Sequence, residues 1–175
     1  YKHEIVSPGY FGLGFYAKFP IHHIHPGLGD FVPPVIIASV LIDSGRTAQF
    51  VIIHAMPPIT AEAWLNNFAT HRRLLSLIKH AQDDLIIITG DFNATPFSTG
   101  FGALVRQGRM QNAMYGFGLQ RTWSAEKFWA RFTIDHVLYR GDLAVESFRR
   151  LPPTGSDHFP LLVKFRVLAA SHRKQ

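Results

Sequence analysis

The chain has 175 residues, of which 47% are hydrophobic and 17% charged, and it contains no cysteine. Those values fit one globular domain with a sizeable core, and they exclude a disordered chain, a disulfide scaffold, cysteine-ligated zinc and thiol catalysis. The formal charge is +6 and the isoelectric point near 9.9, a balance that favours anionic partners such as nucleic acid, phosphorylated lipids or membrane headgroups.

Residues 1–34 are rich in Gly, Pro, His and aromatics. Within them Phe11–Lys18 reads as a strand that turns at Pro20, and His22-His23-Ile24-His25 reads as a loop with too little ligand frame for zinc. Gly9-x-x-Gly12-x-Gly14 has neither the order nor the setting of a dinucleotide fingerprint. Val35–Ile42 is a second strand, Asp43-Ser44-Gly45 a turn, and Phe50–His54 the hairpin partner of Val35–Ile42. Pro57-Pro58 stops that strand. Thr60 then caps a long amphipathic helix with Glu62 in its first turn, and apolar residues at Ala61, Trp64, Leu65, Phe68, Leu75 and Ile78 carry it to about Ala81.

After Asp83-Asp84, Leu85–Thr89 is a β-branched run suited to a strand buried on both faces. Ser98–Gln107 suits a second helix, and Gly116–Trp123 a loop. Ile134–Tyr139, Ala144–Phe148 and Leu161–Val167 complete the strands. No apolar run reaches the ~18 residues of a membrane span, and no secretory leader, repeat or linker is evident. Strands outnumber helices and several follow one another directly, so the chain is predicted to be a single α+β domain over residues 1–175, a mixed or antiparallel sandwich.

Polar chemistry recurs where apolar strands end. The run Leu85–Thr89 delivers Gly90-Asp91-Phe92-Asn93, and in an extended segment residues i and i+2 face the same way, so a carboxylate and a carboxamide could share one site. Asp91 suits the orienting of a water or the holding of a divalent metal, and Asn93 the binding of a nucleophile or phosphate oxygen. The plainer reading is an Asx-turn closing the strand. A calcium loop is ruled out, because Pro96 stands where the EF-hand needs Gly and Gly102 where it needs Glu.

His158, in Gly155-Ser156-Asp157-His158-Phe159-Pro160, could donate to a phosphate oxygen if a carboxylate held its other ring nitrogen. Asp135, in Ile134-Asp135-His136-Val137, is the natural partner. His54 ends a strand of apolar residues and is read as a donor to the scissile phosphate or as a satisfied core histidine. Trp123, Trp129, Phe117 and Phe128 are read as core packing or as a wall that stacks on a base or acyl group. No nucleophile elbow or Walker loop is present.

Taken in this order, His54, Gly90-Asp91-Phe92-Asn93, Ile134-Asp135-His136-Val137 and Gly155-Ser156-Asp157-His158-Phe159-Pro160 resemble the endonuclease/exonuclease/phosphatase superfamily. His54-Ala55-Met56-Pro57-Pro58, Asn93-Ala94-Thr95-Pro96 and Gly116-Phe117-Gly118-Leu119-Gln120-x-Thr122-Trp123 are more similar to a bacterial branch whose members often carry membrane helices ahead of the domain. The resemblance implies a four-layered αββα sandwich with two mainly antiparallel sheets, and Mg²⁺-dependent phosphoester hydrolysis, Mn²⁺ being a possible substitute. It also implies roles. Asp91 would orient the attacking water and share the metal with Asp157, while Asn93 would bind water or phosphate. Asp135 would orient His158, His158 would stabilise the phosphoryl oxygens, and His54 would contact the phosphate.

The implied substrate is a phosphoester of nucleic acid, a phosphoinositide or a phospholipid headgroup. The implied protein is a monomer, extracytoplasmic if tethered like that branch. One departure stands out. The superfamily opens with a strand ending in Asn and a later strand ending in a metal-binding Glu, and neither is recognisable here, so the domain is expected to be N-terminally incomplete. A non-catalytic phosphate-binding module lacking that Glu is the alternative.

Overall fold

The computed structural model describes residues 2–25, 34–42, 45–81, 85–129 and 131–169. The strands in chain order are β1 (His3–Ser7), β2 (Leu13–Ala17), β3 (Ile21–His25), β4 (Val35–Leu41) and β5 (Thr47–His54). Helix α1 (Ala61–His80), strand β6 (Leu85–Asp91) and helix α2 (Thr99–Gln107) follow, then β7 (Gln111–Asn112), β8 (Asp135–Arg140), β9 (Leu143–Arg150) and β10 (Leu161–Val167). Six strands form one sheet in the order β3-β4-β5-β6-β8-β7, and two antiparallel pairs, β1-β2 and β10-β9, stand apart from it. The proposed turn at Asp43 and Ser44 and the acidic pair Asp83-Asp84 lie outside the described residues.

The central strands are apolar on both sides because both sides are covered. Ile86 and Ile88 of β6 join Val51, Ile53, Val35, Ile37 and Leu138 beneath Leu74 and Ile78 of α1 and Phe101 and Leu104 of α2. Leu85 and Ile87 face the other way, with Val137 and Tyr139, onto Val145 and Phe148 of β9 and Leu161, Val163 and Phe165 of β10. On that same face Phe15 of β2 meets Phe50 of β5, their rings 5.4 Å apart. A helical layer, a six-stranded sheet and a second layer of strands therefore stack into an α+β sandwich. No described helix is long and apolar enough to cross a membrane.

Thr60 caps α1 as its sequence position suggests, its Oγ1 accepting from the Ala63 amide at 3.1 Å. The helix faces the core with a different stripe from the expected one. Asn67, Thr70, His71, Leu74 and Ile78 are buried, whereas Trp64 and Leu65 are exposed and the Trp64 ring stacks on Phe68 at 5.6 Å. The apolar count drew the face toward the tryptophan, but the loops at the sheet edge require polar partners at positions 67 and 71.

Two other expectations are corrected. His22–His25 is part of β3, an edge strand paired only with β4 through a bulge between Ile21 and His23, so His-rich composition concealed a strand that needs one partner. The side chains of His23 and His25 lie outside the described residues. Strand β1 was also not anticipated. It pairs antiparallel with β2 across Ile5 and Phe15.

Strand order places the ends that matter side by side. β5 and β6 run parallel, joined through α1, with His54 opposite Asp91, and β6 runs antiparallel to β8, with Asp91 opposite Asp135. Neighbouring strands lie about 4.8 Å apart, so three polar side chains from distant segments reach one edge without any loop having to carry them there. Gly90 makes this closure possible. Its φ is +131°, and a Cβ there would run into the carbonyl of Ile53. Gly90→Ala is expected to destabilise the fold by about 2 kcal/mol or more, which urea denaturation measures. An unchanged midpoint would show that the strand ends can part without consequence.

Candidate active site

Asp91 is the centre of the site. Its carboxylate is largely buried, and two imidazoles converge on one of its oxygens: His54 Nε2 lies 3.8 Å and His158 Nε2 3.9 Å from Oδ2. The other nitrogen of His158, Nδ1, donates to Asp135 Oδ2 at 2.9 Å, which fixes the tautomer and turns Nε2 toward Asp91. Asp135 is held in turn by its strand and by Thr122, whose Oγ1 accepts from the amides of Ile134 and Asp135 at 3.2 and 3.1 Å.

Asn93 reaches the same carboxylate by a route different from the expected one. It is not extended. Its φ is +45°, a left-handed conformation that Asn tolerates better than most residues. The resulting Asx-turn directs the Asn93 amide to Asp91 Oδ1 at 2.7 Å and its Nδ2 to Asp91 Oδ2 at 3.0 Å. Nδ2 also donates to the Ala55 carbonyl at 2.8 Å. The turn and the site are the same feature, since the bonds that close the strand also orient the carboxylate.

Asp157 stands at the rim, exposed, with Oδ2 accepting from the Trp123 indole at 3.0 Å. It is still near enough for its charge to act on Asp91. His136 lines the neighbouring cleft but turns its ring away from Asp91. It is buried on the opposite face of β8, donating Nε2 to the Ala94 carbonyl at 2.8 Å, and burial pushes its pKa down to about 4. Phe11 packs edge-on against His54 with centroids 5.0 Å apart. Beside the site opens a cleft of about 320 Å³ walled by Thr89, Gly90, Asp135, Ser156, His158 and Phe159. Trp123 flanks it, while Phe117 packs toward Phe148 in the lower core at 6.5 Å.

The electrostatics divide the two imidazoles. Burial and the charge of His158 lower the pKa of His54. The hydrogen bond to Asp135 raises that of His158, with further help from the charges of Asp135, Asp91 and Asp157. The two rings are thus pushed apart, His158 toward the cation and His54 toward the neutral ring. Asp91 is pushed up to about 7 by burial first and by Asp135 second, with Asp157 adding to the rise. A buried carboxylate beside two others is an excess of negative charge that a cation would relieve.

The donors suit a hard divalent ion. Asp91, Asp135 and His158 offer ligand atoms all within 4.8 Å of one another, and carboxylate oxygens select Mg²⁺ or Mn²⁺ over softer metals. Asp135 Oδ2 is bonded to His158 and both Asp91 oxygens accept from Asn93, so an ion would use the lone pairs these bonds leave on the two carboxylates.

Sequence reasoning passed over two supporting residues. Thr122 sits in a loop without periodicity, and the resemblance of Gly116–Trp123 that includes it assigned it no role. Asn67 carries a signal of its own, because positions 67, 71, 74 and 78 keep helical phase and make it a buried polar residue on the inner stripe of α1. Its Nδ2 lies 2.8 Å from Met56 O, 3.0 Å from Phe92 O and 3.4 Å from Asn93 O. One carboxamide thus ties the segment after His54 to the segment after Asp91. Asn67→Leu is expected to lower kcat roughly tenfold or more with KM changed by less than about twofold, read by steady-state kinetics at a temperature where the variant is folded. A rise in KM alone would assign Asn67 to substrate binding instead.

A family model described as Endonuclease/Exonuclease/phosphatase family matches residues 1–158. No curated protein sequence matches. Among solved structures, an endonuclease/exonuclease/phosphatase protein from Beutenbergia cavernae superposes with a TM-score of 0.65 at 14% identity, over 78% of this chain and 40% of its own. A mannosyl-6-phosphatase from Bacteroides thetaiotaomicron gives 0.64 at 22% identity, over 89% of this chain and 70% of its own. The human Nocturnin catalytic domain, solved with a sulfate anion, gives 0.60 at 21% identity, over 77% and 53%. At these identities the likeness is one of fold, and the chain spans between 40% and 70% of the structures it resembles.

Proposed function

The chain belongs to the endonuclease/exonuclease/phosphatase family, and from that premise we propose that it hydrolyses phosphoesters by in-line attack of water on phosphorus, with the aid of a divalent cation. The observation that carries the proposal is the convergence of His54 and His158 on Asp91 Oδ2, with Asp135 behind His158.

Each residue has a task that its surroundings support. The Asp91 carboxylate, fixed from both sides by Asn93, accepts a hydrogen bond from the attacking water and holds it in line with phosphorus. His158, whose protonated form Asp135 favours, donates from Nε2 to a phosphoryl oxygen and stabilises charge as it grows there. His54 contacts the phosphate as a neutral ring, so its donating nitrogen does not compete electrostatically with His158. Asn93 donates to Asp91 and supports water or phosphate beside it. Asp91, with Asp157 from the rim, would hold Mg²⁺ or Mn²⁺, which supplies Lewis-acid polarisation of the phosphoryl group when bound.

The test is a substrate panel on the folded chain: bis(4-nitrophenyl) phosphate, plasmid DNA, inositol phosphates and sphingomyelin, each with Mg²⁺, with Mn²⁺ and with chelator. Chelator-sensitive cleavage of at least one class is expected. Folded protein that cleaves none of them, and whose melting temperature Mg²⁺ leaves unchanged, would overturn the assignment.

A further inference from the structure

The segments that leave the Asp91 site share a property that hydrolysis does not require. Among the described residues the most exposed large hydrophobic side chains are Tyr10 at 94%, Phe97 at 90%, Ile59 at 84%, Phe128 at 77% and Trp129 at 74%. The next, Tyr115, is at 60%. Each of the first five lies on a segment attached to the site. Tyr10 precedes Phe11, the residue packed on His54. Ile59 ends the segment that follows His54, and Phe97 lies on the turn that follows Asn93. Phe128 and Trp129 belong to the excursion between Trp123 and Phe132, two residues paired to each other, with Trp123 also paired to His158.

Scattered exposed apolar residues are ordinary on a protein surface, but the largest ones gathered on the segments that leave a single site mark an interaction surface. Residues 8–12, 55–60 and 92–98 contain no charged side chain, and charge enters only with residues 124–131, as Glu126, Lys127 and Arg131. Three of the four segments thus lack the Lys and Arg with which a nucleic-acid platform interleaves its rings to hold the backbone. The arrangement argues against a protein partner seated on all of these tips, because such a partner would cover the site from which the segments leave. Separate apolar tips that each insert a short way, with polar chemistry between them, match what a lipid–water interface accepts. Lys127, 6.0 Å above the Trp129 ring, adds a cation at the level where anionic headgroups lie.

We propose that Tyr10, Ile59, Phe97, Phe128 and Trp129 form an interfacial rim that seats the catalytic edge on a phospholipid bilayer and presents headgroup phosphates to the cleft. The proposal rests on the phosphoesterase reading for the cleft and extends it to the physical state of the substrate.

Co-flotation with phosphatidylcholine vesicles, with and without phosphatidylglycerol, tests it directly. The wild-type chain is expected to float, more so with the anionic lipid. Phe97→Ser and Trp129→Ser should each weaken partitioning roughly tenfold, as expected for one large apolar side chain, and the combined variant should remain in solution. These side chains are solvent-exposed, so melting temperature and hydrolysis of monodisperse bis(4-nitrophenyl) phosphate should be unchanged. Wild-type protein that stays with the soluble fraction overturns the rim. Vesicle binding that the substitutions do not weaken also overturns it. Single-stranded DNA binding that these substitutions abolish, without vesicle binding, reassigns the rim to nucleobases. Vesicle binding by a chain that hydrolyses nothing would sink the phosphoesterase reading and leave the rim standing, so the two failures are separable.

Discussion

Asp91→Asn is expected to eliminate metal-dependent hydrolysis, by on the order of 10⁴-fold or more, while making the metal-free protein more stable above neutral pH. The first effect follows from the position of the carboxylate, which two imidazoles and two Asn93 donors surround. The second follows from its titration. The folded-state pKa is raised from the usual carboxylate range to about 7, so as pH rises from about 4 the unfolded chain loses this proton before the folded one does. Asp91 therefore subtracts stability progressively up to about pH 7 and fully above it. Asn does not titrate and removes that deficit, less the bond from Asn93 Nδ2, which an amide NH₂ cannot accept. The stability gain of the variant over wild type should grow between pH 5 and pH 8 in urea titrations. Added Mg²⁺ should raise the melting temperature of wild type much more than that of the variant. A gain that is flat with pH would mean that Asp91 is ionised and comfortable in the apo protein, contrary to its burial.

His158→Ala is expected to lower kcat/KM about 10³-fold, with most of the loss in kcat, since the cation acts on charge that develops only as the bond breaks. The pairing with Asp135 also has a stability signature. A histidine whose folded pKa is raised contributes stability that is complete below its unfolded value near 6.5 and is lost as pH rises through the folded value. Destabilisation by His158→Ala should therefore be larger at pH 6 than at pH 9. Asp135→Asn should reproduce much of the kinetic loss, because the imidazole then loses both its orientation and the partner that keeps it charged. If His158→Ala retained normal activity, the positive charge would have to come from elsewhere.

Much of this arrangement was legible because strands bury apolar runs and end abruptly. The run from Leu85 to Thr89 marked the centre of the sheet, and the α+β sandwich follows from the order of such runs. Thr60 announced the first helix by its cap, and Ser98 is found to cap the second. What escaped the sequence was what depends on neighbours. The pairing partners of β3 and β1 cannot be read from composition when a strand is short, polar and at an edge. The inner face of α1 was misjudged because Asn67 and His71 are buried for what they bond and pack against, which a count of apolar residues does not register.

The positions of His54, Asp91, Asn93, Asp135 and His158 illustrate the same division. Their residue types and order suggested a shared centre, and register explains it: His54 pairs with Asp91, and Asp91 with Asp135. Asn93 arrives by a left-handed turn that no alternation of extended residues describes. Asp157 stands at the rim with an oxygen accepting from Trp123, and its charge still acts on Asp91.

Whether side chains from β8 and from the segment before β10 operate as one unit is the most direct question to put to the site. Asp135→Asn, His158→Ala and the double variant should be compared for kcat/KM on the best substrate of the panel. Groups that act only through each other are not additive. The double variant should then be no slower than His158→Ala alone, within about twofold. If the two losses multiplied instead, Asp135 and His158 would be working separately, and the single catalytic centre described for this edge of the sheet would be wrong.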